Sequence, residues 1–573
     1  MSNQQQNAGP LLATDALGRA LPTAAETGLP RKNRTVGLFY FLWNGEHMGQ
    51  DHRPFDVSKI LSANPKAGYD TDGSYWGKVG QMHHWGEPMF GYYYAMDEWV
   101  MRKHIEMITR AEIDFLVFDT TNNVIYEPQA KQMLRLLSEY RREGWNTPKV
   151  LFYTNTRSGE TAQNLYEAIY KPNYMPDTWY CFDGKPLIIA VAEECSPEVR
   201  AFFTIKMSQW PNEPTKKGGW PWMDFTRPQR VFENAAGEEE VINVSVAQHP
   251  QLRFGDSAMY GEAGNRGRSY HNGAEDPSEN AYLHGYNFAQ QWERAIEADP
   301  PFVFVTGWNE WLMGRWQGPE DRPLMFVDCA DIEYSRDIEP MKGGYFDNYY
   351  MQLISYVRKY KGTAPIPVQP PLPQPVRDPS FALFRDTPVV YRDFPRGAAK
   401  RSSPGYGDAQ YTDESGRNEI IECRVVHDSK NLYFYAKTSN PIQACDYHST
   451  WMNLYLNISR NGKTADAPHW HGYQYLVNQY PFSNTLTSLS VCRETVRTIE
   501  PDTFSITAAI PYACHDKELM VVIPKALVGL AAEDHFQIQF KWADSKSEIT
   551  RMEEFYTKGD AAPIGRLNYV FEG

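Results

Sequence analysis

Short apolar runs alternate with helix-like segments between residues 36 and 360. Clear examples of the runs are residues 115–118, 150–153, 187–191 and 302–305. Because these runs lack a polar residue at every second position, they predict strands that are covered on both faces. Repeated strand–helix units of this kind predict a parallel α/β core.

Polar residues follow several of these runs where the predicted strand ends. Asp119 follows one run, and Glu310 follows another within the sequence Trp-Asn-Glu-Trp. Functional groups of a (β/α)8 barrel gather at the carboxyl ends of its strands, and the glycine-rich fingerprint of an open nucleotide-binding sheet does not follow the first run. The predicted fold class is therefore α/β, a (β/α)8 TIM-type barrel with long rim loops. About seven strands are recognisable, so one is expected inside a long insertion.

The composition changes at residues 364–377, where prolines accumulate. This segment predicts a stiff, extended linker. Short alternating strands follow it, which predicts an antiparallel β-sandwich over residues 378–573. The barrel is assigned to residues 34–363, and the polar residues 1–33 predict a loosely ordered N-terminal arm lying on the barrel.

Charge and cysteine content exclude several classes of protein. The net charge of −14 and the absence of a basic stripe argue against a nucleic-acid partner. The seven cysteines include no CxxC pair, so buried thiols are expected rather than a disulfide framework or a zinc site. No run of eighteen apolar residues occurs, so no membrane partner is predicted. The first residues do not resemble a signal peptide, which predicts a cytoplasmic protein, or an extracellular or periplasmic one if a leader was removed; the oligomeric state is left open.

Aromatic residues are unusually frequent, at 14% of the chain. Rings can build large sheet surfaces and can also stack on sugar faces, so both uses are expected. Residues 218–224 predict a loop rich in indoles, and the two indoles that flank Glu310 suggest a sugar-binding setting for this carboxylate. The competing interpretation is that Glu310 caps a turn or pairs with Arg315 while the indoles belong to the core.

These observations favour hydrolysis of glycosidic bonds, with a carbohydrate as the partner. Hydrolysis requires two carboxylates on either side of the bond. Glu310 is the first candidate, and its partner is sought among Asp119, Glu87, Glu46 and Glu262, although Asp119 could instead form an Asx turn or a helix cap. The predicted substrate-binding residues of the barrel are Trp308, Asn309, Trp311, His84, Trp85, Asn44, Asn122, Tyr93, Glu46 and Glu262.

A metal-dependent alternative arises from the sequence His-His-Trp-Gly-Glu. His83, His84 and Glu87 have the residue types of a metal site, for example in an esterase that modifies glycans. The glycine and the proline that follows Glu87 prevent one helical face, so a sugar-binding rim loop fits this segment better. We therefore predict no catalytic metal or organic cofactor.

Residues 36–360, with Trp-Asn-Glu-Trp after the last strand, resemble the (β/α)8 barrels of glycoside hydrolase family 99, the endo-α-mannosidases. In that family the corresponding segment reads Asn-Glu-Trp-His-Glu, and its two carboxylates act in a retaining mechanism through the 2-hydroxyl of the substrate. Glu310 matches the first carboxylate, whereas Met313 stands at the second. The resemblance implies a glycoside hydrolase, and Met313 keeps open a glycan-binding barrel that has lost catalysis.

Three segments after the linker resemble family 9 carbohydrate-binding modules. They are residues 411–420, the sequence Trp-Met-Asn-Leu at 451–454, and residues 472–478. The resemblance implies a β-sandwich that holds sugar ends between aromatic rings, often with a structural calcium ion. The candidate platforms are Trp451, Trp470 and Tyr473, although Trp451 at the start of an alternating strand could equally belong to the core.

Overall fold

The computed structural model describes residues 6–7, 9–45, 53–71, 73–211, 213–248, 260, 264–326, 331–445, 450–460, 463–464, 467–531 and 535–573. The chain divides into two compact units. The barrel unit comprises residues 31–361 and 403–411, and the C-terminal unit comprises residues 1–30, 362–402 and 412–573. No helix in these described parts is both long and apolar enough to cross a bilayer.

Eight parallel strands in the described residues build a nearly closed, barrel-like sheet. Along the sheet they run β7-β8-β1-β2-β3-β4-β5-β6, and the antiparallel strand Val231–Glu233 pairs with β7. A hydrogen bond of 3.0 Å from Gly218 N to Glu233 O connects this strand to the segment before β6. The strands are β1 (Thr35–Tyr40), β2 (Phe115–Asp119), β3 (Lys149–Tyr153), β4 (Lys185–Ala190), β5 (Thr204–Gln209), β6 (Gly219–Pro221), β7 (Glu239–Ser245) and β8 (Phe302–Thr306).

Six helices follow the strands in the manner of βα units. Strands β5 and β6 are followed by loops instead, so the helical layer has a gap at that side. Helix α1 begins at Glu98, because Asp97 accepts hydrogen bonds from the Trp99 and Val100 amides and so caps the first turn of the helix. The helices are α1 (Glu98–Arg110), α2 (Glu127–Arg142), α3 (Ser158–Leu165), α4 (Pro197–Phe202), α5 (Tyr286–Ala298) and α6 (Asn348–Lys361).

Alternate residues of the strands fill the interior of the sheet with rings. Phe39 of β1 stacks on Phe304 of β8 at 4.4 Å, and Tyr153 and Trp222 also contact Phe39. The other face of β1, β2, β3 and β8 is apolar as well, because it lies under the helices. This burial on both faces explains the uninterrupted apolar runs in the sequence.

Strand β6 is the strand that the sequence pattern did not reveal. It has only three residues, Gly-Trp-Pro, and it lies inside the segment predicted as an indole-rich loop. A strand this short has no periodicity to recognise, and a proline argues against a strand in general. Trp220 and Trp222 are therefore mainly core residues, with 0% and 4% of their surface exposed.

The C-terminal unit is one curled antiparallel sheet whose halves pack on a common core. Strand β15 pairs with β14 through its first half and with β16 through its second, which joins the halves. Phe434 of β11 and Phe540 of β17 meet edge to face at 5.4 Å. The main strands are β9 (Val389–Arg392), β10 (Ile420–His427), β11 (Asn431–Thr438), β12 (Asn453–Arg460), β13 (Tyr475–Pro481), β14 (Leu486–Cys492), β15 (Phe504–His515), β16 (Glu518–Pro524), β17 (Phe536–Asp544), β18 (Asp560–Ala562) and β19 (Tyr569–Glu572).

The N-terminal segment belongs to the C-terminal unit, which corrects the prediction of an arm on the barrel. The strand Gln6–Asn7 pairs with β9, and the backbones of Leu12 and Asn568 exchange hydrogen bonds of 3.0 and 2.7 Å. Nothing in the local sequence identifies these partners, because both contacts join residues far apart in the chain.

The proline-rich segment is also bound along its length. Gln369 N donates to Glu572 O at 2.9 Å, Leu372 N to His427 O at 2.7 Å, and Val376 N to the Asp428 carboxylate at 2.9 Å. The segment therefore packs on the strands of the C-terminal unit. Its extended conformation is the one that its prolines predict.

Candidate functional site

Two predicted catalytic carboxylates lie at the same edge of the barrel-like sheet. Asp119 is the last residue of β2, and Glu310 follows the end of β8. Only β1 separates these two strands in the sheet. Both side chains are nearly inaccessible, with 1% of Asp119 and 4% of Glu310 exposed.

Arg336 and Trp222 connect the two carboxylates. Arg336 donates to Glu310 Oε2 at 2.6 Å, and its guanidinium lies 5.1 Å from the ring centre of Trp222. Trp222 in turn donates its indole N–H to Asp119 Oδ2 at 2.7 Å. The other oxygen of Asp119 accepts from the amide and the hydroxyl of Thr121, at 2.9 and 2.7 Å.

This arrangement favours the ionised form of both acids. Glu310 meets a cation, and Asp119 meets three donors, all of which stabilise a carboxylate more than a carboxylic acid. Two carboxylates at one rim can stabilise positive charge that develops on a ligand. Arg336 is a residue that sequence reasoning missed; the competing interpretation paired Glu310 with Arg315 instead.

The indoles beside Glu310 are buried among other rings. Trp308 is fully buried and contacts the rings of His104 and Tyr350. Trp311 is fully buried and stacks on Trp85 at 4.5 Å with 16° between the rings. The assignment of these three indoles to sugar binding remains a prediction.

Asn309 and Tyr93 use their polar groups in hydrogen bonds within the protein. Asn309 accepts from Phe41 N at 2.9 Å and donates to Phe41 O at 3.1 Å, so it continues the pairing of β1 beyond the end of the strand. Tyr93 donates its hydroxyl to Glu339 at 2.7 Å. Both side chains are buried, and their assignment to sugar binding remains a prediction.

Glu339 is the centre of a buried polar network that the sequence did not reveal. It accepts hydrogen bonds from Tyr93, from the Trp311 indole at 2.6 Å and from His104 Nε2 at 2.8 Å. His104 completes the network by accepting from the Tyr40 hydroxyl at 2.9 Å through Nδ1. Every one of these groups is buried, so the network fixes the loop after β8 against the barrel.

Asp337 supports Glu310 from the same loop. It accepts from the Glu310 amide and from the Trp85 indole at 2.7 Å. Burial raises the pKa of Asp337 to about 7, against the lowering effect of nearby Arg268. Arg268 lies over the rings of Tyr345 and Tyr349 and donates to Asp337 O at 2.8 Å.

The sequence did contain a signal for this loop. Arg336, Asp337 and Glu339 stand close together in a segment of irregular structure after the last strand. Charged residues in an irregular segment are usually expected to be exposed to solvent, whereas in this fold Arg336 and Asp337 contact Glu310. Exposure and burial of these charges could be distinguished only by predicting which strand end the loop covers.

Glu87 is committed to ion pairs. It pairs with Lys59 and Lys342. Partial burial alone would raise the pKa of Glu87, but these two lysines outweigh burial and lower it. Glu87 is therefore held as an anion by two lysines, and its assignment as a catalytic residue remains a prediction.

The histidines next to Glu87 are buried among rings. His84 meets Tyr92 and Tyr406 edge-on at 4.7 and 5.1 Å, and burial lowers its pKa to about 3. Burial also lowers the pKa of His83 to about 4. Within the described parts of the chain, no group of three or more His, Cys, Asp or Glu residues is placed to hold a metal. The assignment of His84 to sugar binding remains a prediction.

The remaining predicted rim residues differ in exposure. Asn122 is exposed beyond β2 and donates to the Tyr126 hydroxyl at 2.6 Å. Asn44 is buried, and its carbonyl accepts from Ala95 N at 2.6 Å. Glu46 and Glu262 lie outside the described residues.

Two half-buried indoles that were not predicted lie at this edge of the barrel. Trp210 follows β5 and stacks on Trp222 at 4.9 Å with 23° between the rings. Trp43 follows β1, and its ring lies 4.9 Å from Phe41 and 6.3 Å from Tyr126. Partly exposed rings beside Asp119 and Glu310 are the surfaces on which a sugar could stack.

The aromatic platforms predicted in the C-terminal unit are buried. Trp451, Trp470 and Tyr473 expose 2%, 0% and 1% of their surface. Each donates a hydrogen bond to a protein oxygen. The acceptors are Gln443 O for Trp451, Arg497 O for Trp470 and the Asn568 side chain for Tyr473. Their assignment to glycan binding remains a prediction.

Comparison with known proteins gives remote structural similarity only. No protein-family model matches the chain, and no curated protein matches it. Among solved structures, the chain is similar to a GH99 endo-alpha-mannosidase from Bacteroides thetaiotaomicron in complex with BIS-TRIS-propane, with 17% identity, a TM-score of 0.32, and coverage of 57% of this chain and 97% of that one. A second structure of a GH99 endo-alpha-mannosidase from the same organism gives 16% identity, a TM-score of 0.34, and coverage of 56% and 96%.

Proposed function

We propose that the barrel unit hydrolyses glycosidic bonds in a polysaccharide or complex glycan, and that the sheet is a (β/α)8 barrel that carries the reaction at its carboxyl rim. The observation that carries this proposal is the connection from Glu310 through Arg336 and Trp222 to Asp119. Two carboxylates at the same rim, on strands that only β1 separates, supply the pair of acidic groups that glycoside hydrolysis uses.

The roles of the two acids follow from their partners. Glu310, which Arg336 holds ionised, is the base or nucleophile. Asp119, which accepts from Trp222 and Thr121, stabilises the positive charge that develops on the sugar ring, and the leaving-group oxygen takes its proton from a solvent water. Trp43 and Trp210 supply the partly exposed rings on which the sugar stacks.

A screen of neutral and charged polysaccharides with the wild-type protein tests this proposal, followed by kinetics of Glu310→Gln. Glutamine preserves the size of the side chain and removes its charge, so we expect turnover to fall by about 1,000-fold or more. Glu293→Gln on the exposed face of α5 is the matched control and should retain wild-type turnover. The proposal is wrong if Glu310→Gln hydrolyses a cleaved glycan as fast as this control.

A second candidate, a glycan-binding barrel without catalysis, is favoured by Met313. This residue is 4% exposed and lies in a strand paired with residues 82–84, so it offers no carboxylate where the family resemblance expects one. In this case no glycan would be cleaved by the wild-type protein, while glycan binding would be unchanged in Glu310→Gln. The same screen, read out by binding as well as by product, separates the two candidates.

A further inference from the structure

Two arginines at the carboxyl rim share one neutral amide oxygen. Arg227, in the loop after β6, donates to Gln248 Oε1 at 3.4 Å, and Arg266 donates to the same atom at 3.3 Å. Gln248 lies just after β7 and is fully buried. It is held there because its Nε2 donates to Asp224 O at 2.6 Å.

The other partners of Arg227 are uncharged as well. It donates to Asn287 Oδ1 at 2.7 Å and to the amide of Gln290, both in the first turns of α5, and it lies 5.0 Å from the ring centre of Tyr270. Arg266 donates to Phe225 O at 2.8 Å. Among the residues that the structure describes, neither guanidinium forms an ion pair with a carboxylate.

Asp224, the carboxylate nearest to Arg227 in the sequence, pairs with a different arginine. Asp224 pairs with Arg230 at 2.8 Å and also accepts from the amides of Thr226 and Arg230. Its charge is therefore already compensated. The protein as a whole carries a net charge of −14, so two adjacent cations without an acidic partner in the described residues are an exception to its surface chemistry.

Two guanidiniums held side by side repel each other, and partial burial adds to this cost. Burial and the neighbouring charge of Arg266 both lower the pKa of Arg227, to about 10. An anion placed between the two side chains would relieve this repulsion and would receive two charge-assisted sets of hydrogen bonds. The N-terminus of α5 adds a favourable dipole at the same place.

The position of the arginines relates them to the candidate active site. Trp222, which contacts Arg336 and donates to Asp119, is five residues before Arg227 in the same rim loop. Strands β6 and β7 thus present the two arginines at the edge that also holds Asp119 and Glu310. A glycan bound across this edge would reach both places.

We propose that Arg227 and Arg266 form an oxyanion-binding subsite for a negatively charged glycan, in which they bind the carboxylate of a uronic acid or the sulfate ester of a sulfated sugar. This inference rests on the proposed function for its sugar context, and it extends that function by assigning the substrate to the class of anionic glycans.

Calorimetric titration tests the subsite with three probes, namely glucuronate, a glucose sulfate ester and neutral glucose. We expect the wild-type protein to bind at least one of the two anionic sugars about tenfold or more tightly than glucose, and the preferred anion identifies the source of the charge. Arg227→Gln and Arg266→Gln should each remove most of this preference. Arg294→Gln, which changes an arginine of α5 that already pairs with Glu297, is the matched control and should retain it.

A salt titration of the wild-type protein tests the subsite even if the arginine variants fail to fold. Anion binding by the wild-type protein must also weaken as salt rises from about 0.05 to 0.5 M, because screening shortens the reach of the two charges. The inference is contradicted if the wild-type protein shows no preference for either anionic sugar, or if the two arginine variants bind like the Arg294 variant.

The titrations and the cleavage screen of the wild-type protein together distinguish this inference from the proposed function. If the anionic sugars bind through the arginines but no glycan is cleaved by the wild-type protein, hydrolysis fails and the subsite stands. If neutral glycans are cleaved and the anionic sugars are ignored, the subsite fails and hydrolysis stands.

Discussion

At the level of single residues, Glu310 depends on Arg336 for its burial. A carboxylate that is 4% exposed is costly to ionise unless a cation compensates it, and Arg336 is itself 1% exposed at the side chain. The pair is therefore a unit, and removing one member has a larger effect than removing both.

Replacing Arg336 by methionine tests this dependence. We expect a loss of about 3 kcal/mol or more in the stability of the barrel unit, because Glu310 would remain buried without its cation. The double variant Arg336→Met with Glu310→Gln should recover a large part of that loss, as measured by thermal unfolding. A double variant that is less stable than Arg336→Met would refute the pairing argument.

The dependence of protein stability on pH, between about pH 6.5 and 3, tests the burial of His84. Its pKa of about 3 in the folded protein lies below the ordinary value of 6.5, so the unfolded chain takes up the proton first. The stability contributed by neutral His84 is therefore complete above pH 6.5 and is lost as the pH falls from about 6.5 toward 3. In His84→Gln, the fall in stability over this range should be shallower by up to about 1.4 kcal/mol per pH unit; an identical slope in both proteins would show that His84 does not titrate as argued.

At the level of elements, Asn309 joins the loop after β8 to the end of β1. It makes two hydrogen bonds with the Phe41 backbone, at 2.9 and 3.1 Å. Asn309→Ala should therefore lower stability by about 2 kcal/mol, because it leaves buried backbone groups unpaired. Asn122→Ala, at an exposed position of the same rim, should change it by less than about 0.5 kcal/mol. Equal effects in the two melting curves would remove the role assigned to Asn309.

Strand periodicity was sufficient to predict most of the elements but not their contacts. The runs at 115–118, 150–153 and 302–305 predicted buried parallel strands because burial on both faces leaves a pattern in the residues themselves. Trp308 and Trp451 show the limit, since an indole in a core and an indole in a sugar cleft have the same sequence signature. The pairing of Glu310 with Arg336 was hidden because the two residues are 26 positions apart in the sequence and meet only through the way the intervening segment folds back.

At the level of the whole molecule, the chain order does not follow the division into units. The N-terminal residues and the proline-rich segment both belong to the C-terminal unit, and each is attached through backbone hydrogen bonds. Removal of residues 1–30 should therefore raise hydrogen exchange in β9 and around Asn568 and leave β1 to β8 unchanged. Faster exchange in the barrel strands instead would show that the segment stabilises the other unit.

The central claim is that Glu310 and Asp119 act together on one glycosidic bond. Its most direct test is the kcat/KM of Glu310→Gln, Asp119→Asn and the double variant on a glycan that the wild-type protein cleaves. We predict that each single variant loses about 100-fold or more and that the double variant loses less than the product of the two single losses, because both residues serve the same transition state. Wild-type kcat/KM in either single variant, with the fold intact, would contradict the account.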